Sequence, residues 1–172
     1  NFSTFELEEG ALWVDNETAS FYLNMPTMQA TFTAPGFSFQ APIQLDAGEL
    51  TIDAPAAQFQ DVVVLKAKLT LATSLYMADL LIEEGSELKI QNGSIVATDN
   101  LTLQATAASM INLVGTSEGP NGVLQVNPHQ KFCFDHLNIL DLDLAGNASI
   151  SVGENSQVSN SQNWFVGACD DL

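Results

Sequence analysis

The sequence predicts an all-β chain, read as a right-handed parallel β-helix with three strands and about 20 residues per rung. Three observations lead there. Few segments place apolar residues at i, i+3, i+4 and i+7, so helices are scarce. Short runs such as ELTID, ELKIQ, NLTLQ and ASISVG alternate apolar and polar residues, the period of a half-buried strand. The alternating pairs also recur at a near-constant step. Taking pair midpoints, Val62/Val64 to Leu80/Ile82 is 18 residues and Leu69/Leu71 to Leu88/Ile90 is 19. Leu75/Met77 to Ile95/Ala97 is 20, and Leu80/Ile82 to Leu101/Leu103 is 21. The alternative is an antiparallel β-sandwich, for which the Asn-Gly turn in QNGS (91–94) is the best signal.

Taken along the chain, residues 1–45 form an irregular N-terminal β region or a continuation of preceding rungs. They are rich in Phe, Met and Thr and are interrupted by Pro26, Pro35 and Pro42. Residues 46–172 form the solenoid proper. Its core candidates are Leu80, Ile82, Leu88, Ile90, Leu101 and Leu103, followed by Ile111 and Leu113, while Glu83, Glu87, Lys89, Thr102 and Gln104 fall on the wet side of the same strands. GTSEGPNG (115–122) reads as a loop leaving the stack between two rungs.

Charge limits the function classes. The 172 residues carry 21 acids against four lysines (Lys66, Lys68, Lys89 and Lys131) and no arginine, a net charge of −17. Such a chain repels nucleic-acid phosphates and anionic membrane faces, and it lacks the guanidinium fork that holds phosphate or carboxylate. No apolar run nears the roughly 18 residues of a membrane span. The sequence opens in mid-pattern, so a piece of a longer protein is expected. P-loop, GxGxxG and GxSxG motifs are missing from the sequence.

The reactive residue types gather near the C-terminal end. Cys133 and Cys169 are an even pair in an acidic chain, which suits one disulfide in an extracytoplasmic protein; two reduced, buried thiols are the other reading. Asp141 and Asp143 share one side of a strand, with Leu140, Leu142 and Leu144 opposite, so both acids are expected to face solvent. Paired carboxylates are the equipment of a glycosidase, and with His136 they form the one candidate catalytic group. They are also the candidate ligands for a loosely held Ca²⁺, although no EF-hand or glycine- and aspartate-rich repeat is present; Asp170 and Asp171 are a second such pair. His129, Cys133 and His136 match no zinc spacing. No other cofactor is expected.

The segment CFDHLNILDLDLAGNASISVGENSQVSNSQNWFVGACDDL carries a resemblance. It is similar to the closing part of β-helix regions in large Bacteroidota surface proteins, which are gliding-motility adhesins and other cargo of the type IX secretion system. Cys133, Asp135, Leu137, Ile139, Trp164, Gly167 and Cys169 hold the matching places. The resemblance implies an extracellular location on a bacterial surface and a non-catalytic role in adhesion or gliding motility. The partners it implies are neighbouring domains, the outer-membrane secretion or motility machinery, and surface glycans. A carbohydrate-binding or carbohydrate-cleaving β-helix is the alternative.

Overall fold

A computed structural model describes residues 4–6, 21–23, 29–33, 38–39, 42–116 and 118–168. Every pairing between strands is parallel, and no helix occurs among the described residues. The chain is a parallel β-helix. The first sheet stacks β1 (Thr4–Glu6), β3 (Gln29–Thr33), β6 (Glu49–Asp53), β8 (Lys68–Leu71), β10 (Glu87–Ile90), β12 (Ile111–Gly115), β15 (Leu137–Leu140) and β18 (Gln157–Ser159). The second stacks β2 (Phe21–Leu23), β5 (Ile43–Asp46), β7 (Gln58–Leu65), β9 (Leu75–Glu83), β11 (Ile95–Gln104), β13 (Gly122–Val126) and β16 (Leu142–Gly146), with β4 (Ser38–Phe39) beside β7. The third holds β14 (Lys131–Phe134), β17 (Ser149–Val152) and β19 (Phe165–Val166).

The three long strands explain how two sheets enclose a three-sided core. In β9, Leu75 and Met77 are buried, Ala78 and Asp79 are not, and then Leu80 and Ile82 are buried. Alternation skips a residue, so the strand turns a corner and presents apolar side chains inward on both sides of it. β7 turns at Gln60–Asp61 and β11 at Asp99–Asn100. Their first halves pair with β4 and β13, whereas the second half of β7 pairs with β5.

Parallel register turns each inward position into a column. Leu50, Leu69, Leu88, Leu113, Ile139 and Val158 follow one another through the first sheet. Ile43, Val62, Leu80 and Leu101 do so in the second, beside Leu45, Val64, Ile82 and Leu103. Phe39 and Phe59 stack with ring centroids 6.0 Å apart. Burying each such side chain contributes about 1.5–3 kcal/mol. No buried side-chain polar atom among the described residues lacks a hydrogen bond. Ser86, fully buried, donates to the Val64 carbonyl on the rung below.

The rung step is 19 residues from Leu50 to Leu69 and again from Leu69 to Leu88. It lengthens to 25 from Leu88 to Leu113 and to 26 from Leu113 to Ile139. Inserted residues account for this. Residues 105–110 fold into an antiparallel bridge between Thr106 and Ser109, and the Thr106 hydroxyl donates to Glu84 on the rung below. In the 116–121 loop, Asn92 N donates to the Thr116 hydroxyl and Gly93 N to the Pro120 carbonyl. Both insertions are thus tied to earlier turns. QNGS joins β10 to β11, two strands in different sheets, and is not a hairpin.

Two details depart from the sequence reading. The inward pair opening β11 is Val96 and Thr98, not Ile95 and Ala97; Ile95 is 44 % exposed. A buried Thr98, its hydroxyl hydrogen-bonded to nearby carbonyls, disguises the phase. Leu140 also faces outward, at 40 % exposure, whereas Leu142 and Leu144 are buried. Asp141 lies between them at φ 53, in left-handed conformation, which takes it out of the strand and resets the alternation.

Candidate functional site

The same register that builds the core also aligns polar residues at the corner of the second sheet. Asp61 lies opposite Asp79, and Asp79 opposite Asn100. Rungs are about 4.8 Å apart, so this is a ladder of two carboxylates and an amide. Asn100 Nδ2 donates to Asp79 Oδ1 at 2.6 Å. Two residues along each strand, Val63, Leu81 and Thr102 form a parallel outer column. Together with Pro42 the two columns line an open groove of about 410 Å³.

Electrostatics distinguish the ladder from its surroundings. Partial burial raises the Asp61 carboxyl above its ordinary value of 3.8, and a shared hydrogen bond with Asp79 and that group's charge push the same way. Across the corner, the Tyr76 hydroxyl donates to Asp99 Oδ2 at 2.5 Å. That bond, then burial and the charges of Asp99 and Asp79, push the phenol up to about 12. Asp99 is lowered by the same bond and by the one from Asn127. Asn127 Oδ1 in turn accepts from Gln125 Nε2.

The Asp61 shift has a sign that can be checked. A carboxyl raised in the folded state contributes stability that is complete below 3.8 and is lost as pH rises through the raised value. Like charges directly opposite in a sheet cost about 0.2–1 kcal/mol. Asp61→Asn is therefore expected to exceed the wild type in stability by that amount at neutral pH, the gap closing near about pH 3.5. Urea denaturation at the two pH values measures it; a gap that widens on acidification contradicts the shared-proton geometry.

The residues singled out by sequence are placed elsewhere. Asp141 is 7 % exposed, which corrects the expectation that both acids face solvent. Its Oδ1 accepts from Asn160 Nδ2 at 2.5 Å. Asp143 stands on β16 opposite Val123, and its Oδ1 accepts from Asn121 Nδ2 and Gln162 N. Both acids tie neighbouring turns together. His136, at φ 57, occupies a different corner, between β14 and β15. Beside it Asp135 accepts from the backbone N of His136 and from the backbone and side chain of Asn155. Burial opposes ionisation of Asp135, but these bonds prevail and hold its carboxyl below 3.8. His129 lies exposed beyond the other end of β14. No group of three metal-ligating side chains gathers among the described residues.

Cys133 is exposed on β14, in one column with Ser151 and Phe165. Ser151 occupies the equivalent outward place yet is fully buried. The chain leaving β19 covers it: the Ser151 hydroxyl donates to the Gly167 carbonyl at 2.9 Å, and Gly167 N donates to the Val152 carbonyl at 3.2 Å. No described cysteine is free. Cys169, Asp170 and Asp171 lie outside the described residues, as does much of 1–45.

The corner ladder escaped the sequence reading because Asp61, Asp79 and Asn100 look like scattered members of an acidic coat. Their spacings, 18 and 21 residues, are the rung steps themselves, and that was the available signal. No family model, curated protein or solved structure matches the chain, so its assignment rests on the architecture: it is a parallel β-helix.

Proposed function

We propose that the chain is a non-catalytic, structural and adhesive segment of a large exported bacterial surface protein, serving adhesion or gliding motility. One observation carries this reading. The C-terminal acids and amides that might have formed a reactive centre are spent on turn-to-turn bonds, namely Asp135 with Asn155, Asp141 with Asn160, and Asp143 with Asn121 and Gln162. Such a stack is a stiff rod with long, regular faces. Its partners in this reading are neighbouring domains of a longer chain, the outer-membrane secretion or motility machinery, and surface glycans. In-frame removal of the segment from cells producing the protein is expected to abolish attachment or gliding while antibody still labels the remainder on intact cells. Undiminished attachment and gliding would defeat the proposal. Cleavage of carbohydrate by Asp141, Asp143 and His136 has less support, because these groups stand at separate corners.

The proposed Cys133–Cys169 disulfide belongs to this reading. The path of Gly167 over Ser151 heads back toward the column of Cys133. Closing a loop of about 37 residues contributes roughly 3–4 kcal/mol in the chain-entropy model. Mass spectrometry of protein isolated from its native surface is expected to find the two cysteine peptides linked, gaining two hydrogens on reduction. Two free thiols would refute the bond.

A further inference from the structure

We infer that the groove along Asp61, Asp79 and Asn100 binds a saccharide unit bearing a free amino group. Its ammonium sits against the two aspartates, and its C–H face lies on Val63 and Leu81. The inference rests on the adhesive reading and names the ligand of that adhesion.

Size and lining come first. A volume of about 410 Å³ is far beyond what a bare ion needs. It falls within the roughly 300–1,000 Å³ typical of small-molecule sites, which combine an apolar floor with a few placed polar groups. Here the floor is Val63 and Leu81, walled by Pro42, with the polar groups gathered along one side.

Charge selects among small molecules. Two carboxylates occupy adjacent rungs, and no basic side chain lines the groove. The ion pairs given for the described residues, Lys68 with Glu49 and His136 with Asp135, are elsewhere. Asn100 satisfies one oxygen of Asp79, which fixes that carboxylate's orientation. An anionic ligand is repelled; a ligand ammonium takes the place of the proton that the aspartate pair otherwise shares.

The backbone argues against an extended basic peptide. β7 and β9 are paired on both sides, so the groove offers no free strand edge for a peptide to extend. A compact ring needs none.

The test uses the whole chain and isothermal titration with glucosamine oligomers, their fully N-acetylated counterparts and oligolysine. Binding of the glucosamine oligomers is expected. Loss of a charge-assisted contact predicts at least about tenfold weakening on N-acetylation and in Asp61→Asn or Asp79→Asn. Leu81→Ser is expected to weaken the saccharide more than oligolysine. Circular dichroism melting of each variant verifies folding, and the isosteric asparagines preserve hydrogen bonding. Failure of the folded wild type to bind, equal binding of the N-acetylated oligomers, or oligolysine bound as tightly and indifferent to Leu81→Ser would overturn the inference. Attachment lost on removing the segment but unchanged in Asp61→Asn/Asp79→Asn cells would reject the groove alone; attachment unaffected by either would reject the adhesive reading as well.

Discussion

Gly146→Val is expected to leave the last rungs unable to close. Gly146 ends β16 at φ 99, a conformation that side-chain-bearing residues rarely adopt. A Cβ there would lie 2.1 Å from the Val126 carbonyl oxygen and 2.7 Å from its carbon. Those are backbone atoms of β13, which Gly146 opposes in register, so no rotamer change relieves the clash. Backbone strain and overpacking together predict a loss of at least about 3 kcal/mol. Urea denaturation followed by circular dichroism measures the loss, and limited proteolysis should find new cleavage beyond β13. An unchanged midpoint would show that the strand pairing is misplaced. Gly93→Ala is the informative contrast. Its φ is 71, but the nearest atom to an added Cβ is Pro120 Cγ at 3.7 Å, so only the left-handed cost of about 1–2 kcal/mol applies.

Leu113→Ala is expected to cost about 2–5 kcal/mol. Leu113 is fully buried and lies between Leu88 and Ile139 in the longest inner column. The strands above and below are fixed by their own pairings, so the cavity cannot collapse. Because each rung contacts only its neighbours, hydrogen exchange should quicken in β10, β12 and β15 before it does in β6. Leu140→Ala, on the outer side of the next rung, should stay within about 0.5 kcal/mol of the wild type. Equal effects at the two positions would mean that inner and outer columns have been exchanged.

The comparison of these two leucines also shows what was legible in the sequence. Apolar alternation has a period of two, so it reports inward and outward faces wherever a strand runs straight. The steps from Val62 to Leu80 and from Leu69 to Leu88 are therefore both visible in the sequence and present in the register. The signal fails where backbone conformation shifts the phase without an apolar marker. Thr98 is buried but polar, which led the alternation onto Ile95 and Ala97. Asp141 adopts positive φ without glycine, which hid the kink that turns Leu140 outward. The groove was illegible for a different reason. Asp61, Asp79 and Asn100 are separated by most of a rung, and only the lateral pairing brings them together.

The division of one side of the stack into two sheets has a mechanical consequence. The second half of β11 ends at Gln104, the third sheet begins with β14 at Lys131, and no strand pairing joins them among the described residues. The first sheet runs unbroken past this level from β10 through β12 to β15, and β13 continues the second. Tension along the axis is thus shared by three ladders of hydrogen bonds on either side of the seam and by two across it. A pulled filament built this way has a designated fracture line, above which the rungs from β14 onward detach as one block.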